Sequence, residues 1–332
     1  MNRLAVIGAG SWGTALSIVL APRFRQVSLW PHELEHARQM LRTRENAKYL
    51  PGFALPPNIA ISHDSVEVLQ DADVVLGVTP SRFLREVFQG LLPGLRQSMV
   101  FVSATKGLEE GTLLRMSQVM REVIQTRFEP RIAILSGPTF AREVAGGEPA
   151  AVVIASEDRA AAVGVQQAFS GRTFRLYTNS DTIGVEVGAA LKNVIAIGAG
   201  ICQGLGLGNN TIAALITRGL AEISRLAVAM GGEPKTLAGL AGLGDLVLTC
   251  HGELSRNRRV GMELARGRSL DEILQSTAMV AEGVQTISAA VDLSCKYQVE
   301  MPITQQMYEI LRRGKSPADG IRNLMERSLK EE

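Results

Sequence analysis

The sequence predicts an α/β fold with a doubly wound, mostly parallel sheet, followed by an all-α C-terminal domain. Three observations predict it. Short β-branched runs alternate with amphipathic stretches through the first half. Those runs are apolar without alternation, as in strands covered on both faces. After about Asp181 the strand signal fades and long helical patterns take over. The boundaries are therefore set at 1–181 for a sheet domain and 182–332 for a helical one.

The strand runs are "RLAVIG" (3–8), "QVSLW" (26–30), "NIAIS" (58–62), "DVVLGVT" (73–79), "SMVFVSA" (98–104), "RIAILSG" (131–137), "AAVVIAS" (150–156) and "TFRLYT" (173–178). Stretches such as "SRFLREVFQGLL" and "LLRMSQVMREVIQ" supply the intervening helices. The direction of the last two strands is left open. In the second half helical patterns cover 182–203, 210–230, 256–266, 283–297, 302–312 and 317–328, with glycines between several of them.

Bulk properties narrow the classes. A chain of 332 residues, 46% hydrophobic and 20% charged, has material for about two globular domains. A formal net charge of +2 carries no nucleic-acid footprint. Cys202, Cys250 and Cys295 form no CxxC pair and read as reduced thiols of a cytoplasmic protein. Met1 and one arginine lead straight into "LAVIGAG" without spacer or cleavage site, so no signal peptide is expected. The most membrane-like window, "VGAALKNVIAIGAGI", carries Lys192 and Asn193 in its middle and reads as a buried helix, not a span.

"LAVIGAGSWGTALSIVL" contains Gly8-x-Gly10-x-x-Gly13 between a predicted strand and a predicted helix. That context turns a weak motif into a dinucleotide-binding, Rossmann-type signature. Gly8 allows the tight turn, Gly10 lets a pyrophosphate approach the backbone, and Gly13 lets the helix close on the strand. The helix N-terminus faces the anion with free N–H groups. Ser11 and Trp12 sit in the loop, placed to touch the dinucleotide.

A competing motif follows. His32, Glu33 and His36 spell H-E-x-x-H, a zinc signature. Pro31 stands just before it, so the stretch reads as a strand end and the first turn of a helix. His63 and His251 offer no second context for zinc, and no metal is expected. The same stretch should meet the adenosine ribose. Trp30 occupies the place of the usual carboxylate and Glu33 comes only after the turn, so a 2′-phosphate is not repelled and His32 could contact it. NADP is expected to be accepted, alongside NAD.

Ligands of open α/β sheets bind outside the carboxyl ends of the strands. There "GVTPSR" turns at Thr79-Pro80, "SATKG" puts Lys106 beside Gly107, and "SGPTF" has Gly137, Pro138 and Thr139 opening a helix start. Lys106 is either a solvated loop lysine or part of the site. In the helical half Lys192 interrupts an apolar helix. It either snorkels to the surface or is held in an apolar site with a lowered pKa, suited to proton transfer. Asp245 and Thr249 are four apart and share a helical face. Ser255 looks like an N-cap before Arg256, Asn257, Arg258 and Arg259. Arginines there oppose the helix dipole, which reads as a phosphate site or as a solvated basic helix start.

"GAGSWGTAL", "SATKG", "LSGPTFA", "ALKNVIAIGAGI", "GLGDLVLTC", "SRNRRVG" and "VAEGVQT" together resemble, in order and over nearly the whole chain, the bacterial NAD(P)-dependent glycerol-3-phosphate dehydrogenase family. The resemblance implies reversible reduction of dihydroxyacetone phosphate to sn-glycerol 3-phosphate for phospholipid synthesis. It implies Lys192 as proton donor and acceptor, with Lys106, Asn193, Asp245 and Thr249 around the carbonyl. It implies Gly137, Thr139, Ser255, Arg256 and Asn257, with Lys106, Lys192 and Asp245, on the substrate. Ser11, Trp12, His32, Tyr49, Lys106, Ala141, Arg256, Val280 and Glu282 would line the cofactor beside the glycines. Three rivals stay open: a hydroxyacid dehydrogenase of the same two-domain plan, a non-catalytic dinucleotide-binding sensor and, third, a zinc hydrolase, which metal analysis would settle. The apolar helical half suggests a homodimer.

Overall fold

The structure is a computed structural model and describes residues 1–276, 281–329 and 331. Ten strands occur in it: β1 (Arg3–Ile7), β2 (Gln26–Trp30), β3 (Glu45–Asn46), β4 (Leu50–Ala54), β5 (Ile59–Ile61), β6 (Val74–Gly77), β7 (Val100–Ser103), β8 (Arg131–Ser136), β9 (Ala150–Ala155) and β10 (Phe174–Asn179). Eight form one sheet in the order β10-β9-β8-β7-β6-β1-β2-β5. The sequence runs correspond to these eight. Along β1, Leu4 and Val6 enter one apolar cluster while Ala5 and Ile7 enter another, so both faces are buried. That is why the runs show no polar alternation.

The direction of the last two strands is now settled. β9 runs antiparallel to β8, and β10 runs parallel to β9. A parallel pair needs a crossover, and the helix Arg159–Phe169 provides one between β9 and β10. Between β8 and β9 there is only the short helix Ala141–Ala145, and the chain turns back.

β3 and β4 form a separate antiparallel ribbon that no periodicity announced. It is too short for a pattern, and Pro51-Gly52 reads as a turn. The helix after β2 also begins later than Pro31 suggested. It spans Leu34–Thr43 with Glu33 at its N-cap, so His32 and Glu33 precede it and the H-E-x-x-H residues do not share one helical face.

The second half is helical. The helix Thr182–Gly204 runs through its centre and is buried on nearly every residue from Thr182 to Cys202. It is long and apolar enough to cross a membrane, but the qualifying window lies wholly inside the protein. Around it stand Asn209–Ala229, Arg256–Ala265, Glu282–Lys296 and Pro302–Arg313. Glycines allow the closest of these contacts. A Cβ on Gly200 would strike the Arg258 carbonyl, and one on Gly261 would strike the Ile197 carbonyl. The arginine-rich helix is thereby drawn against the helix that carries Lys192.

The helix that places Asp245 and Thr249 on one face is short. Asp245–His251 follows a wide π turn at Leu240–Gly244, where glycines interrupt the helical pattern.

Candidate active site

The glycine loop joins β1 to the helix Ser11–Leu20. Gly8 has φ +114°, and a Cβ there would lie 2.5 Å from the Val78 carbonyl oxygen. A Cβ on Gly13 would strike the Gly8 carbonyl, whereas one on Gly10 would meet nothing within 4 Å. Two glycines thus permit close packing and the third leaves a face open for a ligand. The buried Trp12 Nε1 has no hydrogen-bond partner among the described residues. An open backbone face, a helix N-terminus and an orphaned donor fit a dinucleotide at this edge.

Lys192 does not snorkel. It is 4% exposed, and its Nζ donates to Asp245 Oδ1 and, at 2.8 Å, to Thr249 Oγ1. Thr249 Oγ1 donates in turn to the Asp245 carbonyl at 2.6 Å. The four-residue spacing of Asp245 and Thr249 thus brings both to one ammonium. From the sheet side Lys106 Nζ donates to Asp245 Oδ2 at 2.8 Å and to the Gly137 carbonyl at 3.3 Å. Asp245 is fully buried between the two lysines. Burial pushes the Lys192 pKa down to about 7. The Asp245 carboxylate opposes that shift and the Lys106 charge adds to it.

Ser255 does cap its helix, with Oγ accepting from the Arg258 N–H at 3.3 Å. Arg256 follows it and is exposed. Asn257 Nδ2 donates to Asn193 Oδ1 at 3.0 Å, and Asn257 Oδ1 accepts from the Gly283 N–H at 3.0 Å. The pair ties three helices together beside Lys192. Gly137 and Thr139 lie ahead of a helix that starts only at Ala141, two residues later than the sequence suggested. Thr139 Oγ1 donates to the Gly137 carbonyl at 3.2 Å, so the turn is held by its own side chain.

Glu282 opens its helix and accepts from Ser81 Oγ at 3.3 Å. Burial raises its carboxyl to about 7, against the pull of Arg256 and the Ser81 hydrogen bond. His32 is exposed at the end of β2, its ring edge-on to Trp30 at 5.4 Å. Tyr49 lies in the β3–β4 turn, 5.3 Å from the His36 ring. Val280 lies outside the described residues.

Two family models match the chain. "NAD-dependent glycerol-3-phosphate dehydrogenase N-terminus" matches residues 3–162, and the corresponding C-terminus model matches 181–322. The chain belongs to the NAD-dependent glycerol-3-phosphate dehydrogenase family. A relative from Koribacter versatilis (strain Ellin345), named glycerol-3-phosphate dehydrogenase (NAD(P)+), is 56% identical over 98% of each chain. One of the same name from Geobacter sp. (strain M21) is 51% identical over 100% of this chain and 99% of its own. The crystal structure of glycerol-3-phosphate dehydrogenase from Coxiella burnetii superposes with a TM-score of 0.94 at 39% identity, covering 98% and 99% of the two chains.

Against this glycerol-3-phosphate dehydrogenase fold, sequence reasoning missed two groups of residues. It did not single out Asn46, which joins the ribbon to the glycine loop. Nor did it find Arg115 and Glu186, whose buried pair joins the sheet half to the helix of Lys192. The glutamate in the otherwise apolar "IGVEVGAAL" was the available signal, since buried carboxylates need partners.

Proposed function

We propose that the chain interconverts dihydroxyacetone phosphate and sn-glycerol 3-phosphate with NADPH or NADH, feeding glycerophospholipid synthesis. The observation that carries the residue roles is Lys192, buried and held by Asp245 and Thr249 at the sheet's ligand edge. NAD(P)H, when bound, supplies the hydride to the carbonyl carbon. The Lys192 ammonium gives its proton to the carbonyl oxygen and becomes the neutral amine; in oxidation the amine takes the proton back. A pKa near neutrality suits both directions. Asp245 fixes the ammonium, and Lys106 places a second positive charge where the oxygen turns negative.

In this reading residues 1–181 hold the dinucleotide, through Gly8, Gly10, Ser11, Trp12, Gly13, His32, Tyr49, Lys106 and Ala141. Residues 182–332 bring the substrate and the proton. Ser255, Arg256 and Asn257, with Gly137 and Thr139 across the cleft, would hold the substrate, the guanidinium taking the phosphate. Arg256, Val280 and Glu282 would close on the coenzyme.

The test is loss of NAD(P)H absorbance with dihydroxyacetone phosphate, each coenzyme, and 2-oxoacids as controls. Turnover of the oxoacids alone would favour a hydroxyacid dehydrogenase, and binding without turnover a sensor. The reading extends to a homodimer in the cytoplasm. The unpaired thiols suit a reducing compartment, and exposed Leu243, Val247 and Leu254 offer an apolar surface to a second copy. Sedimentation at micromolar concentration and cell fractionation test these points; a monomer, or an exported protein, would refute them.

A further inference from the structure

We infer that Asn46, oriented by His36, is a positioning residue for dinucleotide binding. The inference rests on the functional reading above and concerns how its coenzyme loop is held in shape.

Asn46 ends β3 and is fully buried. Its Nδ2 donates to the Ala9 carbonyl at 2.8 Å and to Thr14 Oγ1 at 2.8 Å. Its Oδ1 accepts from the Tyr49 N–H at 3.2 Å and lies 2.9 Å from His36 Nε2. The orientation of this amide is over-determined. A carbonyl oxygen on one side can only accept, and a backbone N–H on the other can only donate. His36 Nε2 therefore faces an acceptor and must carry the proton. The second histidine of the H-E-x-x-H stretch serves as a hydrogen-bond donor to this amide.

The Ala9 carbonyl matters because of where it sits. Ala9 lies between Gly8 and Gly10, in the loop that the anion approaches. In a trans peptide the C=O and the following N–H point in opposite directions. With the Ala9 carbonyl drawn towards Asn46, the Gly10 N–H is turned away from it. Gly10 is also where a side chain would meet open space. Asn46 thus steers a backbone donor, while its bond to Thr14 fixes the first turn of the helix behind the loop. Through the Tyr49 N–H the same amide holds the β3–β4 turn against that loop. One side chain sets the relative position of both walls.

The experiment measures dissociation constants for NADH and NADPH by coenzyme fluorescence, with the melting temperature of the coenzyme-free protein recorded for each variant. Asn46→Ala should raise both constants about tenfold or more, about 1.4 kcal/mol for each factor of ten. Asn46→Asp should raise them further, since a carboxylate cannot donate to the Ala9 carbonyl and sets a negative charge beside an anion site. His36→Gln keeps an N–H donor and should leave the constants within about twofold, whereas His36→Phe keeps a ring against Tyr49, loses the donor and should weaken binding. Lowered melting temperatures with unchanged constants would mean a merely structural role and overturn the inference. If Asn46→Ala does not fold, the His36 pair decides: equal constants for the Gln and Phe variants overturn it. Failure of the wild-type protein to bind either coenzyme would instead refute the functional reading.

Discussion

Lys192 and Asp245, fifty-three residues apart in sequence, meet as a fully enclosed ion pair at the junction of the sheet and the helical half. The other carboxylate oxygen of Asp245 accepts from Lys106 at 2.8 Å. One buried negative charge thus faces two positive ones.

Lys192→Met should lower kcat for dihydroxyacetone phosphate reduction by about a hundred- to ten-thousand-fold, the usual contribution of a positioned acid. Coenzyme affinity should be retained. Absorbance assays and a fluorescence titration on the same preparation separate the two, and a variant turning over near the wild-type rate refutes the assignment.

The pH dependence has a defined sign. Reduction needs the Lys192 ammonium, so its kcat should fall as pH rises through about 7, while oxidation, which needs the amine, should rise over the same window. Lys106→Met removes a charge that lowers the Lys192 pKa and should move the inflection to higher pH. Asp245→Asn removes one that raises it and should move the inflection lower. Shifts of the same sign in both variants would contradict the arrangement.

Arg256→Ala should raise KM for dihydroxyacetone phosphate by about ten- to a hundredfold, the worth of a charge-assisted hydrogen bond of about 1.5–3 kcal/mol. Steady-state kinetics at saturating coenzyme measures this, and an unchanged KM removes Arg256 from the phosphate site.

Both coenzymes should be turned over, because Trp30 stands at the end of β2 where a carboxylate would repel a 2′-phosphate. His32→Glu should raise KM for NADPH about two- to fivefold relative to NADH, the scale of an exposed charge interaction. Strict NADH use by the wild-type protein would refute this reading of the ribose site.

Glu186→Gln should cost about 3–5 kcal/mol of stability, because it leaves a buried guanidinium without its counter-charge. Glu186 accepts from Arg115 at 2.5 Å and from the Ser117 N–H and hydroxyl at 2.8 and 2.6 Å. Denaturant unfolding measures the loss. A cost under about 1 kcal/mol would place this pair in the class of weak surface bridges.

Much of the fold was legible in advance because burial on both faces writes itself into local composition. The run "LAVIG" reads as a covered strand, and "VGAALKNVIAIGAG" reads as an enclosed helix with one anomalous lysine. Helix starts were less exact. Pro31 and Pro138 promise turns, but Leu34 and Ala141 are where the backbone becomes helical. The β3–β4 ribbon escaped notice because its strands, Glu45–Asn46 and Leu50–Ala54, are too short for a period to show.

The sequence by itself determined the eight strands of the main sheet, the glycine-rich turn after the first of them and the position of the isolated lysine, since each depends on residues close in the chain. Only the tertiary structure decided that Lys106 and Lys192 share Asp245, that Asn46 grips the glycine loop, and that Glu186 answers Arg115. Those contacts join side chains up to 139 residues apart. Their energies depend on burial and on partners brought in by packing, and neither is encoded in any local stretch of sequence.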